Sequence, residues 1–263
     1  MISAKALTKK FGDFVAVNDV SFDVAQGEIF AFLGPNGAGK TTTIRMLTTM
    51  LRPSSGQIEL DGIDVQRHAF EARQRFGIVF QDSSLDSELT ARENLQIHAV
   101  LYHMPRRDRA ARIEHLLRLF DLWDRRDDIV KHFSGGMRRR LEIARGLLHT
   151  PKVIFLDEPT LGLDPQTRNQ LWTHIGQLNE SERVTVFLTT HYMEEAERAA
   201  HRIAIIDHGR IIAQGTPAEL KAQNGASSLE QAFLALTGST IRAEGAESNR
   251  DMRNFAKMWR GKR

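Results

Sequence analysis

Residues 28–50 read "EIFAFLGPNGAGKTTTIRMLTTM", and the periodicity changes in the middle. The first six residues have the length and apolar content of a buried strand; the last ten carry apolar side chains at helical spacing. Between them, "GPNGAGKTT" at residues 34–42 satisfies G-x-x-x-x-G-K-[ST] at the strand-to-helix junction where that pattern has a mechanism. Gly34, Gly37 and Gly39 let the backbone N–H groups of this nucleotide-binding loop, which also includes Pro35, Asn36 and Ala38, curl around the β-phosphate, and the helix N-terminus adds partial positive charge. Lys40 then reaches the β- and γ-phosphates, the Thr41 hydroxyl is placed to ligate Mg2+, and Thr42 ends the motif. The glycine spacing is not G-x-G-x-x-G, which argues against a dinucleotide.

The strand-like runs "RFGIVF", "KVIFLD", "VTVFLTT" and "RIAIID" join "EIFAFL" and alternate with longer helical patterns, so the fold is α/β with a mostly parallel sheet. The alternating segments "MISAKAL", "DVSFDV" and "GQIELDG" read as antiparallel strands at one edge. From Asp82 to Thr150 the strand signals vanish. "ELTARENLQIHAVLY", "RRDRAARIEHLLRLFDL" and "HFSGGMRRRLEIARGLL" make this a helical insertion. "DHG" at 207–209 is a hairpin signal.

A chain of 263 residues with 41% hydrophobic content has ample material for a core. No apolar run approaches the about 18–20 residues that cross a bilayer, and the N-terminus lacks a signal peptide's apolar stretch, so a cytoplasmic setting is expected. The absence of cysteine removes disulfides, thiolate catalysis and Cys-ligated zinc. The net charge of +3 is unevenly spread: residues 239–263 hold seven Lys/Arg against three Asp/Glu, a net of +4, leaving the remainder at −1. A nucleic-acid-binding body is therefore not implied. Met252, Phe255, Ala256 and Trp259 in this tail follow i, i+3, i+4, i+7 spacing. Two readings stay open, a flexible solubilising tail, which is favoured, and a short helix in contact with anionic lipid.

"VIFLDEP" at residues 153–159 is an apolar strand ending in two acids. Asp157, at the strand's C-terminal end, falls in the crevice beside the phosphate loop and can hold Mg2+; Glu158 is then placed to orient or deprotonate an attacking water. "HFSGGMRRRLEIARGLL" at 132–148 starts like a second phosphate loop, with Ser134, Gly135 and Gly136 before a helix, but has no lysine.

The order and spacing of "GPNGAGKTT", "FSGGM" and "VIFLDEP" resemble the nucleotide-binding subunits of ABC transporters over residues 2–238. That resemblance implies a phosphate-loop NTPase (RecA-like) core of ABC ATPase architecture at 1–238, its helical subdomain at about 82–150, and a separate basic tail at 239–263. Gln81 in "VFQD" looks like the Q-loop glutamine, a catalytic and Mg2+-contacting residue. Asp164 in "LGLD" looks like the D-loop aspartate at the nucleotide, and His191 in "LTTHYMEEA" like the switch histidine. Phe11 in "KKFGDF" matches the aromatic that stacks on adenine, although from the residues alone Phe11 or Phe14 could equally be core, Gln81 a polar strand end and His191 structural. The resemblance further implies that two copies face head to tail, each ATP held by one copy's phosphate loop and the other's Ser134, Gly135 and Gly136.

"FQDSSLDSELTARENL", "FSGGMRRRLEIARGLL" and "SLEQAFLALTG" together look like the daunorubicin-resistance and nodulation-export branch. Export of a drug, lipid or glycolipid-like compound through a separate integral-membrane permease is thus implied, at the cytoplasmic face of the membrane. An import subunit, or an ABC-type ATPase without a permease, are the alternatives. The family's commonest signature is Leu-Ser-Gly-Gly-Gln, whereas this chain has Phe133 and Met137 at the outer positions. Met137 cannot make the glutamine's capping-box bond and is expected to pack apolarly away from nucleotide.

Overall fold

The computed structural model of the chain describes residues 1–238. Its elements run β1 (Ile2–Phe11), β2 (Phe14–Val24), β3 (Ile29–Leu33), α1 (Lys40–Leu47), β4 (Ser55–Leu60), β5 (Ile63–Asp64), α2 (Ala69–Arg73), β6 (Phe76–Val79), α3 (Ala91–Leu101), α4 (Arg106–Leu119), α5 (Gly135–Gly146), β7 (Val153–Asp157), α6 (Pro165–Glu182), β8 (Thr185–Thr190), α7 (Met193–Ala199), β9 (Arg202–Asp207), β10 (Arg210–Gly215), α8 (Pro217–Gln223) and α9 (Leu229–Thr237). All five strand-like runs are strands, and the segment expected to be helical contains α3, α4 and α5. The basic tail lies outside the described residues.

One sheet has six strands in the order β10-β9-β3-β8-β7-β6. Its members are parallel except β10, which returns antiparallel on β9 through His208 and Gly209, both at positive φ. The alternating segments are antiparallel, as their pattern predicts, but they form a second sheet, β2-β1-β4-β5, rather than an edge of the first. Alternation marks a sheet with one buried face and carries no information about which sheet a strand joins.

The main sheet is buried on both faces. Along β3, Ile29, Ala31 and Leu33 face the core built with α3, α4 and α5, while Phe30 and Phe32 face the antiparallel sheet and α1. Phe22, Phe30, Phe32 and Phe187 pack there with ring centroids 5.6–5.7 Å apart. Each such ring contributes about 1.5–3 kcal/mol through burial.

Strand register sets up the site. Leu33 lies opposite Thr190, Asp157 opposite Thr189 and Val79 opposite Leu156. Gly34, Glu158, His191 and Gln81, which follow these strands, therefore emerge along one C-terminal edge, where open parallel sheets bind ligands.

Candidate active site

The phosphate loop is pressed against its neighbours. A Cβ on Gly34 would stand 2.4 Å from the Ile206 carbonyl oxygen, and one on Gly39, at φ 109°, would stand 2.7 Å from that of Ala16. Only glycine allows this curl. Ala38 and Lys40 are buried, while Asn36, Gly37 and Thr41 remain open to solvent. Lys40 Nζ donates to the carbonyls of Gly34 (2.6 Å) and Pro35 (3.1 Å), so the ammonium sits within the loop. Burial holds its pKa below the ordinary lysine value, and the carboxylates of Glu158 and Asp157 oppose that shift. A buried ammonium beside the N-terminus of α1 forms a cradle for an anion.

Asp157 is 5% exposed, and its Oδ1 accepts a 2.6 Å hydrogen bond from the Thr189 hydroxyl. Burial nevertheless pushes its pKa above the usual carboxylate range, with Glu158 adding to the rise and Lys40 offsetting it. A buried hard-oxygen carboxylate, together with the Thr41 hydroxyl of the phosphate loop, fits a Mg2+ ion arriving with a nucleotide.

Glu158 has φ 48°, a backbone conformation that costs about 1–3 kcal/mol and persists only where the surroundings fix it. Its N–H donates to the Thr189 carbonyl (3.1 Å) and hydroxyl (3.2 Å), and its Oε2 lies 3.4 Å from His191 Nδ1. Lys40, Asp157, Glu158 and His191 are thus gathered at one place, with Gln81 exposed at the end of β6 two strands from β8.

Phe11 is 37% exposed near the tip of the β1–β2 hairpin, paired in register with Phe14 and with Lys9 Nζ 5.1 Å from its ring centroid. Ala16 and Val17, further along β2, touch Gly39, which places this hairpin beside the phosphate loop. Ser134, Gly135 and Gly136 open α5 elsewhere, against the start of α6: a Cβ on Gly136 would lie 2.4 Å from Thr167 Cγ2. Ser134 Oγ caps the helix by accepting from Met137 N–H at 3.2 Å, and Met137's half-buried side chain packs on the helical-side core. Asp164 caps α6, accepting from the Thr167 N–H (3.0 Å) and hydroxyl (2.6 Å), and these bonds hold its carboxyl below the usual range.

Residues 17–161 match the family model described as ABC transporter. The chain belongs to the ABC transporter ATP-binding family. It is 44% identical over 252 residues to daunorubicin resistance ATP-binding protein DrrA3 of Streptomyces coeruleorubidus, covering 91% of this chain and 79% of that relative. Nod factor export ATP-binding protein I of Ralstonia nicotianae is 46% identical over 220 residues, covering 84% and 68% respectively. A dimeric ATP-binding cassette solved in a post-hydrolysis state with ADP and phosphate superposes with a TM-score of 0.73 at 28% identity, covering 82% of this chain and 98% of that one. This ABC protein is an ATP-binding subunit that hydrolyses ATP in coupling to transport. No helix among the described residues is long and apolar enough to cross a membrane.

Two contributors escape the sequence reading. Thr189 steadies both acids, yet in "VTVFLTT" it is legible only as strand. Arg139, buried within a run of three arginines, donates to the backbone beneath both acids.

Proposed function

We propose that this ABC protein powers export of a drug, lipid or glycolipid-like compound through a separate membrane permease, working as a head-to-tail pair of copies at the cytoplasmic face of the membrane. The names of its relatives support export. The convergence of Lys40, Asp157, Glu158 and His191 at the end of the parallel sheet carries the hydrolytic part of this reading.

ATP lies with its phosphates on residues 34–42 and its adenine against Phe11. Lys40 leaves the Gly34 and Pro35 carbonyls for the β- and γ-phosphates. Asp157, Thr41 and Gln81 would hold a Mg2+ ion, which supplies charge neutralisation on the phosphates. Glu158 takes the proton of the attacking water, and His191, within reach of its Oε2, fixes the carboxylate's direction and faces the γ-phosphate. Ser134 and the N–H groups near Gly135 and Gly136 of a second copy, with Asp164 beside them, close the site from the other side. ATP binds the closed pair better than the open one, so hydrolysis releases it.

Glu158→Gln tests the assignment. Turnover should fall by about 10²-fold or more, the scale of general base catalysis, while ATP binding survives and the closed pair accumulates in size-exclusion chromatography. Wild-type hydrolysis by this variant would remove Glu158 from the base role.

A further inference from the structure

Helix α5 carries Arg138, Arg139 and Arg140 in succession, of which Arg139 alone is buried. The helix reaches β6 at backbone contact: a Cβ on Gly77 would lie 2.1 Å from the Gly146 carbonyl oxygen. Arg139 Nε donates to the Pro159 carbonyl (2.8 Å), Nη2 to those of Asp157 (2.9 Å) and Glu158 (3.2 Å), and Nη1 to the Phe80 carbonyl and Glu142 Oε2 (3.3 Å). Every N–H of the guanidinium therefore has an acceptor. Three of the carbonyls follow one another through the turn that carries Asp157 and Glu158. The fourth directly precedes Gln81.

The same face of α5 continues the grip. Glu142 Oε1 accepts from Ser84 N–H at 2.9 Å, and Arg145 donates to the Ser84 carbonyl at 2.6 Å and to its hydroxyl. The row at 139, 142 and 145 thus holds the chain on both sides of Gln81, at Phe80 and at Ser84. Glu158, at its left-handed φ, is held by Thr189 at its N–H and by Arg139 at its carbonyl.

We propose that Arg139 is a positioning residue for hydrolysis. It locks the Glu158 turn and the Gln81 loop to the helix whose N-terminus faces the ATP of a second copy. These bonds hold this chain's own Glu158 and Gln81 in place for hydrolysis at its own phosphate loop. The inference rests on the hydrolytic roles proposed for Glu158 and Gln81. Lysine cannot replace the guanidinium, because three donors on a point charge do not span four carbonyls.

The test is steady-state ATPase kinetics of full-chain Arg139→Lys, with ATP affinity measured by calorimetry and folding by thermal melting. The expected kcat is lower by about 10²-fold, the scale of a small misplacement of reacting groups, with KM and ATP affinity essentially unchanged. A purely structural role would lower the melting temperature while leaving kcat per folded molecule at wild type, and that result overturns the proposal. Should Arg139→Lys not fold, Arg139→Met with Glu142→Gln leaves no unpaired buried charge, and the same split between kcat and KM is expected. Failure of both to fold would make Arg139 a residue of the fold and also overturn it. Wild-type turnover in Arg139→Lys beside an inactive Glu158→Gln sinks this inference alone; wild-type turnover in Glu158→Gln sinks the base assignment on which it stands.

Discussion

The chain has two glycine-rich helix starts, and they differ in what they face. At residues 34–42 the loop is wound into its own protein, with Gly34 and Gly39 against the backbone of β9 and β2 and Lys40 folded onto the loop's carbonyls. At the start of α5, Ser134 and Gly135 are exposed, no lysine follows, and Ser134 is engaged only locally in capping the helix. The first is a complete anion cradle. The second presents a helix N-terminus and a hydroxyl outward, the surface proposed above to complete the site of another copy.

The largest effect should come from the first loop. Lys40→Ala removes the only cation of the motif, so turnover should disappear and ATP affinity should fall by about tenfold or more, given about 1.5–3 kcal/mol for a charge-assisted contact. Calorimetry with ATP checks this, and near-normal affinity would break the contrast between the loops. Ser134→Ala should act differently. ATP binding to a single chain is kept, while kcat falls by about 10²-fold, as when one transition-state donor is removed. Equal losses of affinity in the two variants would mean that both loops serve one chain's own site.

Met137→Gln should matter least. The Met137 N–H already has its partner in Ser134 Oγ, and the side chain packs on the core. ATPase activity is expected to stay within about threefold, because the regained capping-box bond adds only about 1 kcal/mol to the helix. A loss of two orders of magnitude would place Met137 at the nucleotide.

The first loop and the parallel strands were legible because each motif is local: a strand of five apolar residues, a glycine spacing, a helix. The second sheet was not, since β1, β2 and β4 alternate in the same way whichever sheet they join. Asp157, Glu158 and His191 could be placed together because each ends or directly follows a strand of the same parallel sheet. Arg139 could not. Successive helical residues point about 100° apart, so in "RRR" Arg139 is buried, Arg140 half-buried and Arg138 exposed, and the string does not say which is which. Thr189 was hidden likewise, its partner Asp157 lying 32 residues away on the neighbouring strand.

The central claim is that Ser134, Gly135 and Gly136 complete another copy's site. Gly135→Asp places a carboxylate at the N-terminus of α5, where the helix dipole tolerates it but a facing γ-phosphate does not, so that variant and Lys40→Ala should each be inactive alone. The decisive measurement is the ATPase rate of an equimolar mixture of the two. In a mixed pair, one site combines the intact phosphate loop of the Gly135→Asp copy with the intact helix start of the Lys40→Ala copy, so activity should return well above that of either protein alone. A mixture as inactive as its components would contradict the account.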